Sequence, residues 1–213
     1  MNKTLHLTIA CVALSGTTFL VPGSAAGEGN MPEFAAEVSG FSQYVWRGMV
    51  LTDGPVMQPS GTVSWNGLYV NLWSNMDLDN VNGLQRKFNE LDFSAGYERT
   101  VGRVSLSGGV IRYTFPNTDY LATTEVHAGA AIDTILSPSV TAYFDVGEID
   151  GAYVTMDAGH SIALPKPGDH AQWSIDLAAG LGWGSQNYNR GYFAVDQSGL
   201  VDFHPSLSVP ICF

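Results

Sequence analysis

NELDFSAGYER, residues 89–99, is the stretch whose reading decides the fold. Leu91, Phe93, Ala95 and Tyr97 share one parity, while Glu90, Asp92, Ser94, Gly96 and Glu98 share the other. Side chains of an extended chain alternate between two sides, so a period of two predicts a β-strand with one apolar and one polar face.

The pattern recurs along the chain. TTEVHAGAAID (residues 123–133) sets Val126, Ala128, Ala130 and Ile132 opposite Glu125, His127, Gly129, Ala131 and Asp133. SVTAYFDV sets Val140, Ala142 and Phe144 against Thr141, Tyr143 and Asp145. AQWSIDLAAGLGW sets Trp173, Ile175, Leu177, Ala179, Leu181 and Trp183 against Ser174, Asp176, Ala178, Gly180 and Gly182. About ten strands are expected, near 34–47, 57–66, 68–77, 89–99, 103–115, 122–133, 139–147, 151–164, 171–184 and 199–210. Their connections tend to alternate in length. Asn66-Gly67, Arg99 to Gly102 and Thr134 to Pro138 are tight, and 48–56, 77–88, 116–121 and 185–198 are mostly long. Asn-Gly between two strand patterns is the strongest short hairpin signal. In VSLSGGVIRYTF, Val104 and Leu106 differ in parity from Ile111, Tyr113 and Phe115. A one-residue bulge at Gly108-Gly109 would restore the register and turn Arg112 to the polar side.

Bulk properties narrow the setting. Charged residues make up 14% of the chain, beside 24 glycines and 11% aromatics, where typical domains are about 25% charged. The net charge of −11 argues against nucleic acid and anionic headgroups as electrostatic partners. Residues 1–26 read as a cleaved signal peptide: Lys3, an apolar centre from Leu5 to Val21, and Ser24 and Ala26 before the cut, with Ala25 as the alternative site. Cleavage would remove Cys11 and leave Cys212 alone, so no disulfide within the chain is expected. Residues 27–213 then form one domain.

Alternation of this kind suits a soluble β-sandwich or an antiparallel transmembrane β-barrel. Runs of ten to fourteen residues exceed sandwich strands of about five or six. With the first strand starting in the periplasm, Tyr44, Trp46, Tyr113, Phe115, Phe144 and Trp183 collect at the outer ends, and Phe34, Trp65, Tyr97 and Trp173 at the inner ends. Two aromatic belts about a small-residue middle match a bilayer with two interfaces. The expectation is therefore an all-β barrel in the bacterial outer membrane. Its partners would be outer-membrane lipid, the barrel-assembly machinery during insertion and small solutes.

Four motifs occur together: Y-V-x-R-G at Tyr44–Gly48, G-x-Y-x-x-x-W-S-N at Gly67–Asn75, E-x-D-x-x-x-G-Y at Glu90–Tyr97 and Y-T-x-P at Tyr113–Pro116. As a set they resemble the TorF family, an exported family of porin type. The resemblance implies an outer-membrane barrel and no catalytic residues.

Parity places Glu37, Glu90, Asp92, Glu98, Glu125, Asp133, Asp145, Asp157, Asp176 and Asp202 on the lumen face with Arg47 and Arg112. Such a lining predicts a narrow, acidic, cation-preferring channel. The alternative is a plugged structural or adhesive barrel, because small barrels are often filled by their own side chains. An outer-membrane enzyme is the rival class. The chain offers His127, His160, His170 and His204 but no G-x-S-x-G and no H-E-x-x-H, and His127 beside Glu125 is the best dyad-like pair. No Cys/His spacing suggests a metal, and no cofactor is implied. Pro205 and Pro210 are poor residues for a closing strand, which leaves ten strands, or twelve if the chain continues.

Overall fold

The computed structural model describes residues 31–165 and 172–212; the expected signal peptide and His170 lie outside the described residues. The alternating runs become strands β1 (Glu33–Phe41), β4 (Val56–Trp65), β5 (Leu68–Asp77), β6 (Phe88–Val101), β7 (Val104–Thr114), β8 (Thr123–Ile132), β9 (Ser139–Asp145), β10 (Ala152–Ala163), β11 (Gln172–Gly184) and β12 (Gly199–Ser208). Two short strands, β2 (Tyr44–Trp46) and β3 (Met49–Thr52), follow β1, and a helix, α1 (Gln186–Phe193), joins β11 to β12. A two-residue β13 (Ile211–Cys212) pairs with the start of β11.

Among the described residues, β1 and β4 to β12 pair in chain order as one large antiparallel sheet. No backbone pairing joins its end strands, β1 and β12. The tight connections form as the residues require. Asn66 and Gly67 both take positive φ, 49° and 85°, between the paired Trp65 and Leu68, which is the geometry of a two-residue hairpin. A Cβ on Gly67 would stand 2.5 Å from the Glu98 carbonyl oxygen, so glycine is required there for space as well as for conformation.

Three expectations need correction. The first strand does not run on to Arg47. It ends at Phe41, and β2 and β3 form a separate two-stranded sheet around the turn Arg47-Gly48, whose φ values are 46° and 81°. The 185–198 connection is not a plain loop: Ser185 caps α1 by accepting from the Tyr188 amide. The bulge at Gly108-Gly109 does not exist, since β7 pairs with β6 and β8 without a register shift. Ile111 and Tyr113 therefore stay on the face of Glu125, and Arg112 lies on the opposite, exposed face, where it donates to Thr124 Oγ1 at 2.9 Å.

The sheet is strongly curled. Adjacent strands lie about 4.8 Å apart, so β5 and β12, seven positions apart, would be about 34 Å apart if flat. Yet Thr52 donates to Asp77 on β5 at 2.8 Å, and Gly48, four residues before it, packs against Asp202 on β12. The hairpin tip packs so closely on β12 that a Cβ on Gly48 would be 2.8 Å from Asp202 Cβ.

Polarity is inverted relative to a water-soluble fold. Among the described residues the buried apolar ones are Tyr44, Val56, Tyr113, Tyr153 and Tyr188, while Glu90, Glu125, Asp77, Asp145, Asn75 and Thr52 are all buried. The other face exposes Val70, Leu72, Phe93, Leu106, Val126, Val140, Met156, Leu181, Phe203 and Leu207.

Candidate functional site

The enclosed face holds the chemistry, and the half covered by the β2–β3 hairpin is packed. The β2–β3 hairpin folds over this face and presents Arg47 at its tip. Arg47 donates through Nη1 and Nη2 to Glu125 Oε1 and Oε2 at 2.7 and 2.8 Å, a bidentate pair in which the side chains are 10% and 1% exposed. Tyr113 donates to the same carboxylate at 2.8 Å. The guanidinium carbon lies 4.4, 4.3 and 4.5 Å from the ring centres of Trp46, Tyr143 and Tyr153, with Tyr188 at 6.0 Å. A delocalised cation gains from both contacts: the carboxylate meets its in-plane fork and the rings meet its faces.

The hairpin is fixed at its base as well. Fully buried Asp77 accepts from Thr52 on β3 at 2.8 Å, and from Asn75, Asn82 and Asn89 at 3.2, 3.0 and 3.0 Å. Tyr44 packs on Trp73 with ring centres 5.7 Å apart. From the other side α1 sends Tyr188 against Tyr153 and Tyr192 against Trp46, with ring centres 5.4 and 5.2 Å apart. Tyr188 is fully buried, and burial pushes its hydroxyl up to about 12, so it faces the cluster as a neutral ring.

This packing corrects several expected positions. Tyr44, Trp46 and Tyr113 do not stand on the outer surface; they fill the enclosed face. An aromatic suits that face here because the hairpin, not water, covers it. Arg112 is not on the enclosed wall, and Asp133 lies exposed in the turn after β8, its amide donating to the Arg103 carbonyl. Phe115 sits just past β7 against Tyr120. Trp65, Tyr97, Phe144 and Trp183 are exposed on the outward face, and Trp173 shares their parity. Asp145, on the enclosed face, is a brace: it accepts from Thr123 at 2.8 Å and from the Gly147 amide at 2.8 Å.

Towards the other end the enclosed face becomes small and polar. Asp176 accepts from Ser161 at 2.6 Å. Asp157 contacts His204 Nε2 at 2.8 Å, Asp202 contacts its Nδ1 at 2.5 Å, and Tyr153 donates to Asp202 at 3.0 Å. Gly180 and Gly182 make room for this cluster: a Cβ on either would approach an Asp oxygen to 2.0 Å. Glu90 and Asp92, successive enclosed positions on β6, stand near the Arg47–Glu125 pair. One oxygen of Asp92 is buried without a hydrogen-bond partner.

His127 and Glu125, the pair weighed for the rival enzyme reading, are not bonded to each other. His127 faces Tyr69 and the ring of Tyr143, and Glu125 is committed to Arg47 and Tyr113. His160 is exposed on the outward face, with Nδ1 2.7 Å from the Ile135 carbonyl oxygen. Among the described residues no group of three or more His, Cys, Asp or Glu is disposed to hold a metal. Tyr143 was legible beforehand from its parity with Asp145. Tyr188 and Tyr192 were not singled out, although Ser185 ahead of a Tyr pair four residues apart was a visible helix start.

Residues 25–197 match the model of a family described as "Bacterial protein of unknown function (Gcw_chp)". The chain belongs to the Gcw_chp family. No curated protein and no solved structure matches the chain. The match includes both the hairpin that delivers Arg47 and the strands β8 to β10 that receive it, while β12, with Asp202 and His204, lies beyond it.

Proposed function

We propose that this chain is an outer-membrane β-barrel of porin type, with an acidic interior suited to small cations and an outer end stoppered by its own hairpin and helix. One observation carries the reading: the exposed face is apolar and the enclosed face is polar, the reverse of a soluble sheet. An exposed apolar band is stable only where lipid replaces water, and in lipid a sheet must close so that no edge is left unpaired. The curl supports closure, because one short hairpin touches β5 through Asp77 and β12 through Asp202. The TorF resemblance supports the same assignment. Under this reading Trp65 and Tyr97 occupy the inner interface, and Phe144 and Trp183 the outer one.

The stopper favours a second reading, a structural barrel that does not conduct. Two measurements on protein refolded into lipid separate these readings. Heat-modifiable migration with and without boiling reports the barrel, and a planar-bilayer recording of the wild type and of Arg47→Ala reports the path. The porin reading expects low current from the wild type and a severalfold larger current from Arg47→Ala. Silence from both supports the structural barrel, and absence of heat-modifiability removes the barrel altogether.

A further inference from the structure

We propose that the pocket around Arg47 is a binding site for a guanidinium-bearing solute, and that Arg47 is its internal occupant. This rests on reading the interior as a solute path, and it names the class of solute. Most of the pocket belongs to the wall and not to the hairpin. Glu125 comes from β8, Tyr143 from β9, Tyr153 from β10 and Tyr188 from α1; Trp46 alone arrives with Arg47. Tyr113 holds the second carboxylate oxygen at 2.8 Å, so Glu125 keeps its orientation without the arginine.

The recognition is specific in shape. A carboxylate engaged through both oxygens needs a forked planar donor, and rings at 4.3 and 4.5 Å need a cation that sheds water easily. An alkali ion has no fork, and an ammonium is a compact, strongly hydrated charge. A guanidinium satisfies both requirements.

The occupant is built to be exchangeable. The hairpin has no backbone pairing with the large sheet among the described residues; side chains alone hold it there. An external guanidinium must compete with an arginine whose effective concentration is millimolar or higher, as for any short tether. Removing Arg47 ends that competition and leaves the wall residues in place.

The test uses full-length Arg47→Ala refolded into vesicles, with methylguanidinium as the probe and the temperature at which compact migration is lost as the readout. Methylguanidinium at millimolar concentration is expected to raise that temperature for Arg47→Ala by several degrees and to leave the wild type unchanged. Methylammonium and sodium at equal concentration are expected to do little. Adding Glu125→Gln is expected to abolish the response. An equal response to methylammonium, or a response that survives Glu125→Gln, would overturn the proposal. Should Arg47→Ala fold poorly, its refolding yield becomes the readout, and a yield indifferent to methylguanidinium overturns the proposal equally. The readout is thermal, so a pocket that binds in a barrel that never conducts upholds the site while removing the porin reading.

Discussion

Arg47 and Glu125, 78 positions apart in the chain, meet in a bidentate pair at 2.7 and 2.8 Å that ties the hairpin tip to the middle of the sheet. The pair organises everything around it. It sets three ring planes about one cation, and it decides which face of β7 Tyr113 must occupy.

Breaking one half of this pair should be far worse than removing both halves. Glu125→Ala leaves a buried guanidinium uncompensated and should cost about 3–5 kcal/mol, whereas Arg47→Met with Glu125→Leu should lie much closer to wild type. Denaturant unfolding of the refolded protein compares them. If Glu125→Ala matches the double variant, the pair is not an isolated buried charge couple.

The outward face makes a second prediction. Phe93 is 52% exposed on β6, and Ser94 next to it points to the enclosed side. Phe93→Arg should cost about 2–4 kcal/mol in a bilayer, and Ser94→Arg clearly less. Equal losses in vesicle refolding would contradict the lipid-facing assignment of Phe93.

How much of this was legible beforehand follows from what a period of two reports. It tells which residues share a face, so Glu90 with Asp92, and Tyr143 with Asp145, were read together correctly. It does not tell what covers that face. Tyr44, Trp46 and Tyr113 looked like surface aromatics because large rings at strand ends match a bilayer interface. The hairpin covers one half of the enclosed face, and aromatics then belong on it. The change of parity between Leu106 and Ile111 was the visible trace of that change in cover. It was explained away by a bulge, which misplaced Arg112. The stopper itself needed contacts across dozens of residues, such as Arg47 with Glu125, which no local pattern contains.

Glycine spacing on β11 gives a third prediction. Gly180→Ala should destabilise by about 1–3 kcal/mol, because its Cβ would fall 2.0 Å from Asp157 Oδ1 and 2.1 Å from His204 Nε2. Gly61→Ala meets nothing within 4 Å and should be neutral or slightly stabilising in a strand, by up to roughly 1 kcal/mol. Both are read from the same unfolding curves. A neutral Gly180→Ala would mean that the Asp157–His204–Asp202 cluster is not held as described.

The last prediction concerns the path itself. Arg112 lies on the outward face and Arg47 is paired with Glu125, so the enclosed wall beyond the hairpin is left mainly with the carboxylates Glu37, Glu98, Asp157 and Asp176, while Asp202, against Gly48 of the hairpin, shares His204 with Asp157. Carboxylates in a narrow aqueous passage concentrate cations and repel anions, and salt screens that bias over about 10 Å at 0.1 M. The open form, Arg47→Ala, should therefore prefer cations, most strongly at low ionic strength. Glu98→Gln with Asp176→Asn should reduce the preference without closing the passage, since neither residue touches the hairpin cluster. The reversal potential across a planar bilayer under a salt gradient measures this directly. A potential of the sign for anion preference would refute the electrostatic account of the wall. A preference unchanged by the double neutralisation would move its source to the carboxylates freed by the loss of Arg47, with Glu125 first among them.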